Sequence, residues 1–493
     1  SALQTSGIIR INSRISVEID PVMEWKQMFS QAWQAQANEF VFPDLIQWET
    51  IYALYEPLLH RISTRVELSD LMKELTSEMA CSHIYCDSGD TDVFGRCNED
   101  ITQGFIGADI NSKNEITRIL RGDFWSLKTA GPLAKAGMNI REGDRIVSVN
   151  HKKVDPRNPL SKLLRGLASK EIYLGIKDKE IEEANKEKNS NNNNTNNNNK
   201  NKKKGKKGGK NGGKNNKNGG KNNNKKQNKK KSGGNNKKNN NTRIVRVRCI
   251  ERDLVDYIRY KDDLNKITKY VHGKTDNKVG YIHVPDMSTS AYIQWSRAYN
   301  VECENEALII DIRGNAGGNI SDLLLEKINT KCIGYDIPRY GKAEPFPSHI
   351  PCTKNIMVLL CDEQSCSDAD CFAQAFKTYQ LGLVIGMKTW GGVYGISEET
   401  KLVDGTAITH PSSAFYTLNV NWELENNGVT PDIVVEISPD DFKQKKDPQL
   451  DRAIEEILKK LNEFDKDIDD NNSVDQFNLH NVLLKGNNFK KKS

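Results

Sequence analysis

A stretch near the middle of the chain sets the first limit on what it can fold into. From about residue 185 to 241 the sequence is Asn, Lys and Gly, with almost nothing apolar. Such a segment buries too little surface to offset the entropy of ordering it, so it is expected to be a disordered insert. It also carries the chain's basic character. Residues 191–240 hold 17 lysines, no arginine and no acid, and without them the formal net charge falls from +6 to −11. The rest of the 493 residues is therefore acidic, which argues against a nucleic-acid binder. An expanded repeat without function is preferred for the insert over a polyanion-binding arm, and nucleic acid enters only as weak binding by its lysines.

The insert separates two runs of strand character, EIYLGIKD and TRIVRVRCI, which should pair with the insert at their hairpin tip. Upstream of them, GPLAKAGMNIREGDRIVSVNHKKV combines short β-like runs, turn glycines and one short helical piece, and resembles a PDZ domain. A PDZ-like β-rich domain is thus expected over 99–253, interrupted at 185–241. Residues 21–98 read as a helical domain carrying Ser82 and His83. There PVMEWKQMFSQAW spaces Met23, Met28 and Trp33 helically, and LSDLMKELTSEM repeats the pattern with Ser69 or Asp70 as N-cap. Residues 1–20 read as a strand or linker and 466–493 as a polar tail.

Between 254 and 465 the pattern is β/α. VGYIHVPDM, ALIIDIRG, IMVLLCDE and GLVIGMKT are short apolar runs with helical stretches between several of them, which predicts a largely parallel sheet with helices packed on it. The fold class is therefore multidomain α+β, with a helical N-terminal domain, a β-rich middle and an α/β domain. Ten scattered cysteines without a CxxC pair favour reduced thiols. No secretory signal pattern and no run of about 20 apolar residues is present. The chain starts at Ser, which suggests a processed product or a cut piece.

CDEQSCSDADCF crowds Ser365, Cys366, Ser367, Asp368 and Asp370 at the junction of a strand and a helix. A serine at such a turn holds its hydroxyl at the sheet edge, and the following N–H, that of Asp368, points at the same space as an oxyanion donor. Taken alone, a serine there is more often a plain N-cap. DIRGNAGGNISDLLLEKI adds a strand, a glycine loop and a helix. Gly317 and Gly318 let the backbone approach a substrate and offer N–H donors. The same stretch also reads as a plain βα turn; it lacks the Lys-Ser/Thr ending of a P-loop and the G-x-G-x-x-G spacing. His83 follows Ser82 in ACSHIYCD, and a single histidine is more often structural than catalytic.

Four stretches together carry a specific resemblance: CSHIY, GNAGGNISDLLLEKI with GYDIPR after it, SCSDADCF, and WELENNGVTPD. In this order and spacing they resemble the tail-specific (carboxyl-terminal processing) serine proteases, in their tricorn branch, over roughly residues 15–465 apart from the insert. The resemblance implies an α/β serine protease domain over 254–465. It makes Ser367 the nucleophile and His83 the general base, with Ser82 and Glu425 completing a Ser-His-Ser-Glu tetrad. The N–H groups of Gly318 and Asp368 become the oxyanion hole, Gly317 a substrate-binding position, and Asp336 the acid of a pocket preferring a basic residue before the cut. A serine hydroxyl needs a neutral imidazole in reach, and the imidazole needs a partner on its other nitrogen, so the residue types suit the chemistry.

The superfamily's other branch uses a Ser-Lys dyad, but Gly392 stands where that lysine belongs and Lys388 is off pattern. Cys366 and Ala316 replace family glycines, and the branch's β-propeller region is absent from this sequence, so it is expected either to lie upstream, cut off, or to be dispensable here. The resemblance further implies a cytoplasmic peptidase acting on short unfolded peptides downstream of larger proteases. It would need no metal or organic cofactor, have no membrane association, and form a homo-oligomer of trimers paired into hexamers. The rival is a catalytically inactive PDZ-bearing scaffold or peptide-binding protein in a protease fold, against which the filled tetrad positions tell.

Overall fold

The computed structural model describes residues 18–87, 89, 102–123, 129–179, 242–331, 333–336, 344–347 and 350–470. The expectations for the 185–241 insert, for most of 1–20 and for the end of the tail lie outside them. Two compact units are present, one made from residues 1–97 and 266–493, the other from 98–265.

The first elements among the described residues are helices α1 (Pro21–Glu39), α2 (Trp48–Tyr55) and α3 (Arg65–Ser77), followed by the short strand β1 (Cys86–Asp87). Asp20 caps α1, which buries Met28, Phe29, Ala32 and Gln36. Met23, expected on the apolar face, points to solvent instead. Helix α3 begins earlier than expected: Thr64 and Glu67 form a capping box, which places Ser69 and Asp70 inside the helix rather than at its start.

In the middle unit, β2 (Ala108–Ile110) and β3 (Ile116–Ile119) form a hairpin. Strands β4 (Arg145–Val149), β5 (Lys152–Lys153), β6 (Glu171–Lys177) and β7 (Thr242–Arg248) form an antiparallel sheet in the order β5-β4-β6-β7. The strands flanking the insert pair in full register, from Glu171 opposite Arg248 to Lys177 opposite Thr242. Ile146, Val149, Ile172, Leu174 and Ile176 fill this core. Helix α4 (Arg252–Lys274) follows, and the boundary between the units falls within it.

The parallel sheet of the larger unit has strands β8 (Val279–His283), β9 (Ala307–Asp311), β10 (Ile356–Cys361), β11 (Gly382–Gly386) and β12 (Ile433–Val434), in the order β12-β11-β10-β9-β8. Each pairs parallel with its neighbours. Leu308, Ile310, Met357, Leu359 and Val384 face helices α5 (Thr289–Glu302), α6 (Ser321–Ile328) and α7 (Asp368–Thr378) through Trp295, Leu324, Phe372 and Phe376. Helix α8 (Pro448–Asp470) packs on β9, β10 and β11. Burial on both faces explains why these strands read as continuous apolar runs rather than alternating ones.

A second, antiparallel sheet escaped the sequence reading. Strands β13 (Gly395–Lys401) and β14 (Ala407–Ser413) form a hairpin, and β1 pairs with β14, Cys86 opposite Ile408. Leu402 and Ile408 join Met28, Phe29, Leu68 and Met72 in one core. Gln36 donates to Thr409 O at 2.8 Å, and the Arg65 guanidinium pairs with Asp404 at 2.8 Å. The helical segment read as a domain of its own is therefore built into the same unit as the parallel sheet. No helix among the described residues is long and apolar enough to cross a membrane.

Candidate active site

Open parallel sheets present functional loops at the carboxyl ends of their strands. Ser367 stands there, between β10 and α7, at φ 59° and ψ −119°. A non-glycine residue at positive φ stores about 1–3 kcal/mol of strain, which neighbours must hold in place. The Cys366 N–H donates to Asn315 O at 2.9 Å, the buried Ser365 hydroxyl donates to Ile312 O at 2.9 Å, and the Trp390 N–H donates to Ser365 O at 3.1 Å. Ser367 occupies the N-cap position, yet its side chain caps nothing. The plain capping role thus lacks the bond that defines it.

The glycine loop after β9 lies against this turn. A Cβ on Gly317, at φ 89°, would sit 2.5 Å from Ser367 Cβ and 3.1 Å from Asp368 N, so only glycine allows the approach. Its N–H donates to Asn315 Oδ1 at 2.8 Å. Neither the Gly318 N–H nor the Asp368 N–H donates to a described residue. The Asp368 carboxylate accepts from the Ser321 N–H at 2.9 Å and the Ser321 hydroxyl at 2.5 Å, which ties the start of α6 to the start of α7.

His83 is brought in by the β1–β14 pairing. The Tyr85 N–H donates to Thr409 Oγ1 at 2.8 Å, and that hydroxyl donates to His83 O at 3.0 Å. His83 is only 8% exposed. Its Nδ1 lies 3.0 Å from the Ser82 hydroxyl. Burial lowers its pKa below the ordinary histidine value, with the Glu425 charge pulling the other way. Glu425 meets Ser82 through the backbone: Oε1 accepts the Ser82 N–H at 2.8 Å. Oε2 accepts the N–H groups of Val393 at 2.7 Å and Tyr394 at 3.1 Å.

A fifth group belongs to this arrangement, and the sequence reading missed its role. Asp370 is fully buried in the first turn of α7. It accepts the N–H groups of Gly391 at 2.9 Å and Gly392 at 3.2 Å. Burial raises its pKa, while hydrogen bonds from Thr389, Gly391 and Gly392 oppose the shift. Residues 391–394 therefore commit four successive N–H groups to two carboxylates, one on the helix of Ser367 and one beside His83. The only sequence signal was an acid three residues beyond Ser367.

Asp336 is exposed and ends the antiparallel pair Gly334–Asp336 with Glu344–Phe346. At Gly392 a Cβ would lie 2.2 Å from the Trp390 ring and 2.8 Å from Ser82 Oγ, so the position reserved for a lysine in the other branch has no room for a side chain. The Cys366 thiol, half-buried, is pushed up to about 11 by desolvation and stays protonated at neutral pH.

Comparison with known proteins bears on the whole chain. Residues 278–435 match peptidase family S41, 104–188 the tricorn protease PDZ domain, and 21–77 the tricorn protease C1 domain. A tricorn protease homolog of Saccharolobus solfataricus is 33% identical over 462 residues, which covers 92% of this chain and 36% of that protein. Tricorn protease homolog 1 of Streptomyces coelicolor is 30% identical over 456 residues, covering 91% and 36%. A crystal structure of the tricorn protease superposes with a TM-score of 0.71 at 26% identity, over 91% of this chain and 38% of that one. The chain thus spans well under half the length of these relatives. Three domain matches in the order of the fold, with likeness along nine-tenths of its length, show that the chain carries the C1, PDZ and S41 peptidase domains of the tricorn-like proteases.

Proposed function

We propose that this chain is a serine peptidase that works through an acyl-enzyme on Ser367, with His83 as general base. The observation that carries the reading is the uncapped Ser367 hydroxyl at a strained strand-to-helix turn, beside two N–H groups with no described partner. A histidine whose pKa is lowered by burial is neutral at pH 7, as a base must be. Nδ1–H donation to the Ser82 hydroxyl leaves Nε2 unprotonated for the Ser367 proton, and the Glu425 carboxylate favours the imidazolium that results.

In the first step Ser367 Oγ attacks the scissile carbonyl carbon while its proton passes to His83 Nε2. The Gly318 and Asp368 N–H groups receive the oxyanion, helped by the amino end of α7. Collapse of the tetrahedral species releases the amine, protonated by His83, and leaves an ester on Ser367. Water, deprotonated by His83, then hydrolyses that ester.

The substrates fitting this reading are short unfolded peptides, delivered downstream of larger proteases in the cytoplasm. Asp336 would select a basic residue before the cut through a charge-assisted bond, and a homo-oligomer of trimers paired into hexamers would house the site. These features rest on the likeness to tricorn proteases. The test is turnover of a fluorogenic peptide with Arg or Lys before the reporter, by the intact chain and by Ser367→Ala. Loss of up to about a million-fold in the chemical step is expected of the variant. Equal turnover by both proteins would sink the reading, and undiminished preference for Arg in Asp336→Ser would remove Asp336 from it.

A further inference from the structure

Two half-exposed aromatic rings flank the His83 imidazole. The Trp390 indole lies 5.6 Å away, centroid to centroid, at an interplanar angle of 73°, and the Tyr85 ring lies 6.1 Å away at 85°. Both meet the imidazole edge to face, and together they help keep it out of water. Yet Trp390 is itself 43% exposed and Tyr85 41% exposed. Each ring thus covers part of a buried base and leaves an apolar face open to solvent beside it.

The backbone fixes where those rings stand. Trp390 donates its N–H to Ser365 O, two residues before Ser367. Its ring lies over Gly392, whose missing side chain makes room for it. Tyr85 is held by paired bonds with Thr409, donating at 2.8 Å to Oγ1 and accepting the Thr409 N–H at 3.1 Å. One ring thus belongs to the loop over the nucleophile and the other to the strand that delivers the base. Both rings lie within about 6 Å of the His83 ring, centroid to centroid: 5.6 Å for Trp390 and 6.1 Å for Tyr85.

Resting on the serine-peptidase reading, we infer that Trp390 and Tyr85 form an aromatic subsite for a bulky apolar or aromatic side chain immediately after the scissile bond. The direction follows from the chemistry. The group that His83 protonates is the amine of the leaving peptide, so the leaving residue must pass the imidazole during the reaction, close to the two rings that contact it. Substrate choice then has two parts: Asp336 reads the residue before the cut by charge, and this pair reads the residue after it by contact.

The experiment uses internally quenched peptides identical except for the residue after a single Arg, set to Gly, Ala, Leu or Phe. They are assayed with the intact chain, Trp390→Ala, Trp390→Phe and Tyr85→Ala. The expected result is kcat/KM rising from Gly to Phe in the intact protein. In Trp390→Ala the Phe peptide should lose about tenfold and the Gly peptide less than about threefold, with Trp390→Phe restoring most of the preference. A fluorescence anisotropy titration of Ser367→Ala with labelled, uncleaved Gly and Phe peptides reads the same preference as affinity, without chemistry. Uniform losses across the four peptides, or equal kcat/KM for the Gly and Phe peptides in the intact protein, would overturn the subsite. Absence of turnover in every protein would count against the peptidase reading. In that case equal affinity for the Gly and Phe peptides would overturn the subsite as well, whereas tighter binding of Phe, lost in Trp390→Ala, would support it.

Discussion

Asp370 offers the sharpest separation of positioning from folding. Its carboxylate takes the N–H groups of Gly391 and Gly392, whose neighbours Val393 and Tyr394 are taken by Glu425. The loop between them thereby links the helix of Ser367 to the support of His83. Asp370→Ala would leave two buried N–H groups unpaired, at about 1–3 kcal/mol each, so a loss of about 2–6 kcal/mol and a poorly folded protein are expected. Asp370→Asn is the better probe. The amide keeps one acceptor but turns an NH2 toward the second N–H, costing about 1–3 kcal/mol, while removal of a buried charge offsets part of that loss. Global stability should thus fall by no more than about 2 kcal/mol. The loop, however, no longer has both anchors, and displacement of reacting groups by about 1 Å costs about a hundredfold. Steady-state kinetics on a basic fluorogenic peptide, with thermal melting alongside, would read both quantities. The expected pattern is kcat down about a hundredfold, KM nearly unchanged and a small drop in melting temperature. Full kcat in a folded Asp370→Asn protein would refute the idea that this link sets the geometry.

The same geometry sets two further expectations. His83 must be neutral to accept a proton, and burial holds its pKa below the ordinary value of about 6.5, so the acid limb of the kcat/KM profile should have its midpoint below that value. Because the unfolded chain then binds the proton more readily, the corresponding stability is present above about pH 6.5 and is lost as pH falls toward the folded pKa; an acid limb above pH 7 would contradict this. Gly392→Ala forces a methyl against the Trp390 ring and Ser82 Oγ, so stability should drop by about 1–3 kcal/mol while kcat falls at least about tenfold. Undiminished kcat in that variant would show that the crowding is harmless.

Much of the architecture was legible along the chain. The parallel strands declared themselves as apolar runs because both of their faces are covered, as at Leu308–Ile310 and Met357–Leu360. The strands on either side of the Asn/Lys/Gly-rich segment pair in the register of the hairpin expected there. Helix ends were read less well. Ser69 and Asp70 have the chemistry of N-caps, but Thr64 with Glu67 offered two bonds instead of one and moved the start upstream. Strands β13 and β14 alternate weakly and contain polar residues, so nothing local marked them as the sheet on which β1 pairs.

The candidate site divides in the same way. Residue types made the serine after a buried strand, the glycine loop and the Ser-His pair candidates, and the resemblance to the tail-specific proteases joined them into one proposed site. What only the tertiary structure decided is how those pieces are held. Ser82 is bonded to Glu425 through its backbone N–H, across 343 residues of chain. Asp370 and Glu425 divide one loop's N–H groups between them, Gly392 is closed by the ring of Trp390, and two aromatic rings stand against His83. Each of these depends on distances between segments remote in sequence. A carboxylate three residues beyond a serine reads as an ordinary first-turn acid until the fold shows which N–H groups arrive to meet it.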